Sequence, residues 1–141
     1  MGQAPAELSL HFADSELAGV QGWSGPNGVA GLQLRWAAAA VIAPAERPGE
    51  CPRQGHLRGL LLDLWPASPQ AVAEAELPLG ALLEGELLWR GQRLRQLPLP
   101  ACLEGPMSLR LWGRNGELWS WQGLGLRCDP GALPFFESLA C

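Results

Sequence analysis

The residues that could support chemistry in this chain are few and far apart. Among its 141 residues there are two histidines, His11 and His56. His11 alternates outward in an N-terminal strand pattern, and His56 follows Gly55 at the start of another strand pattern. No spacing along the chain joins either imidazole to a carboxylate or a thiol in the way that a catalytic set requires. We interpret both histidines as surface side chains.

The nearest approach to a nucleophile motif is Gly22-Trp23-Ser24-Gly25-Pro26. A hydrolase elbow needs Gly-x-Ser-x-Gly between a strand and a helix. Here a proline stands in place of the second glycine, and no helical pattern follows. We interpret the serine as a turn residue. The sequence therefore predicts no catalytic residue and no cofactor site, and we expect a protein that is not an enzyme.

Cysteine spacing bears on metal binding and on redox state. Cys51, Cys102, Cys128 and Cys141 form no Cys-x-x-Cys pair of the kind used by zinc ribbons and thioredoxin-like sites, so no metal site is predicted. The N-terminal residues show neither a basic region nor an apolar run typical of a secretory signal. We therefore expect free thiols and a cytoplasmic location. If a disulfide does form, Cys102 and Cys128 are its first candidates because both lie beside predicted strands.

Charge and hydropathy exclude two kinds of partner. All ten basic residues are arginine, and the net charge is −4 with a pI near 5.1. Nucleic-acid binding needs a concentrated positive surface, so we expect no nucleic-acid partner. The longest apolar run, from Trp36 to Ala43, is far shorter than the ~18 residues that a membrane span needs, so we expect no membrane partner either.

One concentration of charge has an aromatic residue beside it. Arg90, Arg93 and Arg95 follow Trp89 on a hairpin predicted around Gly91. Guanidinium groups bind carboxylates through paired, charge-assisted hydrogen bonds, so this cluster is a candidate for contact with an anion or an acidic partner. The plainer interpretation is a solvated hairpin face.

The clearest structural signal is the Asn-Gly pair at 115–116. It separates two alternating segments and is typical of a tight hairpin turn with two central residues. In that register Trp112 faces Trp119 and Arg110 faces Trp121, because antiparallel partners pair outward from the turn. All four side chains would then share one face of the hairpin.

An aromatic face of this kind is either core or an interaction platform. If another sheet covers it, the rings are packing residues. If it is open, it marks an interaction site. We expect Trp112 and Trp119 to be mainly structural. The predicted partner-binding residues are Arg110, Trp121, Trp89 and Arg90.

The remaining segments predict a single all-β domain spanning residues 1–141. Alternation with a period of two, punctuated by glycine and proline, indicates about eight antiparallel strands. A β-sandwich is our first choice, and a partly closed meander β-barrel is the alternative. Within 68–84 a short helix competes with an edge strand, because Ser68 suits a cap and Pro69 a first helical position. Predicted strands include Glu7–Ala13, Leu17–Trp23, Val29–Ala43, His56–Trp65 and the two arms Glu86–Arg90 and Gln92–Leu97.

Two classes of function remain. The first is a non-enzymatic protein-binding or assembly module that uses a sheet face or edge to bind a protein partner or a second copy as a homo-oligomer. The alternative is a binder of a small ligand or carbohydrate in an apolar, Trp-lined site. An enzyme comes third. An open tryptophan face would favour the first, an enclosed apolar cavity the second, and a cleft joining a histidine to a carboxylate the third.

Overall fold

The computed structural model describes residues 2–3, 7–45, 47–66 and 80–138. In this part of the chain a single antiparallel sheet contains nearly all of the regular structure, together with one 3-10 turn at Pro26–Gly28. The strands are β1 Gly2–Gln3, β2 Leu8–Ser24, β3 Ala30–Ala43, β4 Arg53–Leu57, β5 Leu60–Trp65, β6 Gly80–Trp89, β7 Gln92–Leu94, β8 Gln96–Leu99, β9 Ala101–Gly113, β10 Leu118–Cys128 and β11 Pro134–Glu137. The predicted all-β, antiparallel class is confirmed.

Six of these strands close into a barrel. They follow the order β3-β5-β10-β9-β6-β2, and β2 completes the ring by pairing with β3. Strands β4, β11 and β1 extend outward from β3, β8 lies on β2, and β7 lies on β6. The long β3 serves both parts, since residues 32–36 pair with β5 and residues 39–43 pair with β4. The barrel, which we gave as the alternative to a sandwich, is therefore supported by the way the sheet closes.

A bulge divides β2 into a first part that pairs with β8, outside the barrel, and a second part that belongs to the barrel. The pairing with β3 shifts between His11 and Glu16, and Asp14 in this interval has a left-handed φ of 67°. Ser15 is fully buried here, and its Oγ donates to the His11 carbonyl at 2.6 Å and accepts from the Ala40 amide at 2.8 Å. The hydroxyl thus replaces the strand hydrogen bonds that the bulge interrupts. Residues before the bulge pair with β8, and residues after it pair with β6.

Predicted strands are present with altered bounds. Glu7–Ala13 and Leu17–Trp23 form the single strand β2. His56–Trp65 is interrupted at Arg58-Gly59, where Gly59 has a φ of 78°, although both halves pair with β3. For the short helix considered within 68–84, residues 80–84 are strand, and 67–79 lie outside the described residues.

The core fills the barrel with large side chains. Phe12 and Trp36 are fully buried, with ring centroids 6.3 Å apart. Gly85 on β6 makes this packing possible, because a Cβ there would come within 2.6 Å of Phe12 and 2.8 Å of Leu111. Rings of this size each bury ~150–250 Å² and dominate the stability of a core.

The loop between β9 and β10 differs from the predicted turn. The Gly113 amide donates to the Glu117 carbonyl at 2.9 Å, and the Gly116 amide donates to the Gly113 carbonyl at 3.1 Å. Residues 114–116 therefore form a loop of three residues, with Gly116 alone left-handed at a φ of 86°. This is the common hairpin loop in which a turn is followed by a left-handed glycine, rather than the predicted loop of two residues.

The extra loop residue moves the side chains of β10 to the opposite faces. Because side chains alternate along a strand, a slip of one residue exchanges inside for outside. Trp119 and Trp121 lie opposite leucines of β9 and are 8% and 3% exposed inside the barrel. Arg110 and Trp112 lie on the outer side and are half-buried. The predicted face shared by all four residues is therefore wrong.

The cysteines also differ from expectation. Cys51 is disulfide-bonded, so the prediction of free thiols is wrong for this residue. Cys102 and Cys128, the first candidates for a bridge, are both free. Cys102 is exposed and pairs with Arg127, the residue before the buried Cys128, so the two thiols lie on opposite faces of the sheet. The bond at Cys51 removes the thiol argument for a cytoplasmic location, which stays a prediction.

Burial strongly raises the pKa of the Cys128 thiol, and the neighbouring carboxylates of Asp63 and Asp129 act in the same direction. A thiol in this environment stays protonated and unreactive.

No helix within the described ranges combines the length and the apolar character that crossing a membrane requires.

Candidate binding surface

The predicted hairpin around Gly91 is present and has a well-defined tip. Trp89 of β6 pairs with Gln92 of β7, and Arg90 and Gly91 between them have left-handed φ angles of 50° and 74°. Two consecutive left-handed residues make the tight turn that matches the twist of the flanking strands. The second arm is shorter than predicted, because the chain bends after β7 and continues as β8.

The turn places Arg90 directly on the ring of Trp89. The guanidinium carbon lies 4.7 Å from the ring centroid, which is within the range of a cation–π contact. The edge of the indole is fixed as well, because its Nε1 donates to the Glu104 carbonyl at 2.9 Å. The Trp89–Arg90 pair is therefore held by the fold.

A buried carboxylate holds two further arginines beside this pair. The Glu86 side chain is only 6% exposed, with Oε2 3.1 Å from Arg93 Nε and Oε1 3.7 Å from Arg110 Nη1. The two arginine side chains are 60% and 41% exposed, so both guanidinium groups remain accessible to a partner. Sequence reasoning missed Glu86. Its only signal was an outward position in the alternation of β6.

These residues belong to one surface on the outer side of β7, β6, β9 and β10. Cross-strand pairing aligns Arg93 with Leu88, Ser108 and Gln122, and aligns Glu86 with Arg110 and Ser120. Pro106 borders the same region beside Leu88. We call the surface formed by Arg90, Arg93, Arg95, Arg110, Leu88 and Pro106 the arginine face.

Three open clefts adjoin along the arginine face. The first has a volume of about 570 Å³, and its lining, which includes Leu88, Pro106 and the exposed Leu124, is mainly apolar. The second, of about 340 Å³, shares Leu88 and Pro106 with the first and is bounded by residues 89–93 of the hairpin tip. The third, of about 400 Å³, shares Arg93 with the second and includes Arg95. Apolar and cationic surface therefore follow one another along a continuous path.

His11 lines the third cleft and is more enclosed than predicted. Burial lowers the pKa of its imidazole, while Asp14 acts in the opposite direction. His11 of β2 and the exposed His56 of β4 both pair with Ala40 of β3, so the fold brings the chain's two histidines into one row across these three strands. Within the described ranges there is no group of three or more side chains suited to a metal ion. We assign no metal site to this row.

A second set of polar side chains lies on the outer side of the barrel, where its members form hydrogen bonds with one another across neighbouring strands. Gln21 Nε2 donates to Gln33 Oε1 at 2.8 Å, and Gln33 Nε2 donates to Asp63 Oδ1 at 2.9 Å. Arg127 Nη2 donates to Asp63 Oδ2 at 3.3 Å, and its guanidinium carbon lies 5.6 Å from the Trp23 ring. Each group in this ladder has a partner on a neighbouring strand, so we interpret it as structural.

The fold unites three of the four predicted partner-binding residues. Trp89 and Arg90 form the stacked pair and line the hairpin-tip cleft together with Arg93. Glu86 connects Arg93 to Arg110. Trp121 is separated from them, because its indole lies in the barrel core. Guanidinium groups beside an indole can bind carboxylates, and the apolar cleft next to them can accept an aliphatic side chain.

Comparisons with protein-family models, with curated proteins and with solved structures found no match.

Proposed function

We propose that this chain is a non-enzymatic protein-binding module that engages its partner through the arginine face. The observation that carries the proposal is the buried carboxylate of Glu86 between two exposed guanidinium groups. Burying a carboxylate costs free energy of solvation, and a solvated surface gains little from an ion pair. The arrangement is better explained as a device that holds Arg93 and Arg110 in a fixed position for a ligand.

The composition of the face supports a protein partner. Tryptophan and arginine are enriched at the energetic centres of protein interfaces, where apolar and polar contacts lie side by side. The stacked Trp89–Arg90 pair and the anchored Arg93 are already ordered by contacts within the chain. Binding would therefore pay less side-chain entropy than it would on a surface of free arginines.

A small-ligand site is the second candidate. Inside the barrel it has little support, because the indoles of Trp36, Trp119 and Trp121 are core residues with 8% exposure or less. The cleft of about 570 Å³ beside Leu88 is the observation in its favour, since ligand pockets commonly hold ~300–1,000 Å³. A small ligand would bind there without needing the arginines of the hairpin tip.

Site-specific photo-crosslinking in the native host tests the proposal. A photoreactive amino acid is placed at Gln122 on the arginine face and, as a matched control, at Gln54 on β4. Both positions are exposed strand glutamines. We expect a discrete cross-linked species only from Gln122, and excess unlabelled protein should suppress it. A product between two copies would identify a homo-oligomer. Equal products from both positions, or none from Gln122, would reject the proposal.

A further inference from the structure

The charge of the arginine face is opposite to that of the whole chain. The protein carries a net charge of −4, yet four of its ten arginines, Arg90, Arg93, Arg95 and Arg110, lie on this surface. In the described part of the chain Arg90 and Arg95 have no ion pair, and Arg93 and Arg110 share the single carboxylate of Glu86. The positive charge is therefore incompletely neutralised.

The clefts follow one another across neighbouring strands. The first is lined from β6, β9 and β10, and the third by Arg93 and Leu94 of β7 with Arg95 and Gln96. An extended peptide laid across these strands would present alternate side chains to the arginine face. Arg93, on β7, borders both the second and the third cleft.

The order of the clefts sets the order of side chains in the ligand. An apolar cleft at Leu88 and Pro106 is followed by a cleft at Arg90 and Arg93, and then by one at Arg95. Alternate residues of an extended chain project from one face, so residues i, i+2 and i+4 would meet the three adjoining clefts in turn. An apolar residue at i and acidic residues at i+2 and i+4 would match them.

We infer that the arginine face binds an extended acidic peptide segment of a partner protein, with one aliphatic side chain in the cleft at Leu88 and carboxylates on Arg90, Arg93 and Arg95. This inference rests on the proposed function and adds the chemistry of the partner. Nucleic acid fits less well, because a chain of net charge −4 repels a continuous polyanion outside this small patch.

Two fluorescent peptides test the inference. One has the sequence Ser-Leu-Ser-Glu-Ser-Glu-Ser, and the other carries glutamine in place of both glutamates. We expect fluorescence anisotropy to show saturable binding of the acidic peptide, weakened by salt because the contacts are ionic. The glutamine peptide should bind at least about tenfold more weakly, since each carboxylate contributes charge-assisted hydrogen bonds.

Paired charge variants locate the site. Arg90→Gln with Arg95→Gln removes two arginines that have no ion pair, so the fold should be retained, as a thermal melt would verify. The matched control, Arg35→Gln with Arg114→Gln, makes the same change in net charge at two other exposed positions. We expect the first pair to weaken binding at least about tenfold and the control to weaken it less than about twofold.

Each outcome separates the inference from the proposed function. No binding of the acidic peptide at about 1 mM, equal binding of both peptides, or equal losses in both paired variants would overturn the acidic-segment inference. The same result together with a specific cross-link from Gln122 would leave the binding module intact and change only its partner's chemistry. A single-stranded oligonucleotide that binds more tightly than the peptide would also overturn the inference.

Discussion

The positions of two hairpin tryptophans, Trp112 and Trp121, can be tested through stability. Trp121 is 3% exposed inside the barrel, whereas Trp112 lies half-buried on the outer face. Replacement by alanine should therefore have very different consequences at the two sites, although they are neighbours in the same hairpin. In the register with two central turn residues, both indoles would share one face and the two losses would be similar.

The expected magnitude follows from burial. A buried indole removes ~150–250 Å² from water, which at about 25 cal/mol per Å² is worth ~4–6 kcal/mol. Trp121 Nε1 is buried with no hydrogen-bond partner in the described part of the chain, and leaving such a group unpaired costs ~1–3 kcal/mol. We expect Trp121→Ala to lower the free energy of unfolding by ~3–4 kcal/mol and Trp112→Ala to lower it by about 1 kcal/mol or less.

Urea unfolding followed by far-UV circular dichroism measures both values without relying on the tryptophan that is removed. Trp121→Phe is the control, because it keeps an aromatic ring and eliminates the unpaired N–H. Its loss should be clearly smaller than that of Trp121→Ala. Equal losses for Trp112→Ala and Trp121→Ala would refute the observed register and restore the one predicted from the Asn-Gly pair.

Three further changes test other parts of the structure. Gly125→Ala should lower stability by ~1–3 kcal/mol in the same urea assay, because a Cβ there would overlap the Trp65 ring, and an unchanged midpoint would contradict this packing. In the native protein a thiol reagent should label Cys102 but not Cys128, and mass spectrometry that finds both labelled before unfolding would contradict the burial of Cys128. Burial lowers the pKa of His11, so the unfolded chain binds a proton that the folded chain resists, and stability should fall as the pH drops below about 6.5. His11→Gln should remove this component.

Part of the binding surface could be predicted from local sequence. Arg90 and Gly91 stand between two alternating arms, and a tight turn there follows from turn chemistry alone. Arg90 stacks on Trp89, its neighbour in the sequence, so this contact could be proposed from the sequence without knowing the three-dimensional structure. Glu86 could not be identified in the same way, because its burial depends on Arg93 and Arg110 from two other strands.

The amino-acid sequence by itself determined the all-β class and which residues of most strands face inward. Alternation in segments such as Leu8–Phe12 and Leu60–Leu64 places the apolar side chains on one side of the strand wherever its partners lie, because consecutive side chains point to opposite faces. Turn residues divided much of the chain into strands. These are local properties, and each can be read within a few residues.

Tertiary structure alone decided the closure of the barrel and the register of the tryptophan hairpin. Closure depends on β2, which forms a local hairpin with β3, pairing also with β6, and on β5 pairing with β10. The β2–β6 and β5–β10 pairings join distant segments that no local pattern specifies. At Asn115-Gly116 loops of two and of three residues are both compatible with the local sequence. The longer loop places the indoles of Trp119 and Trp121 in the core, and burying two large apolar rings favours that register by more than the turn preference opposes it.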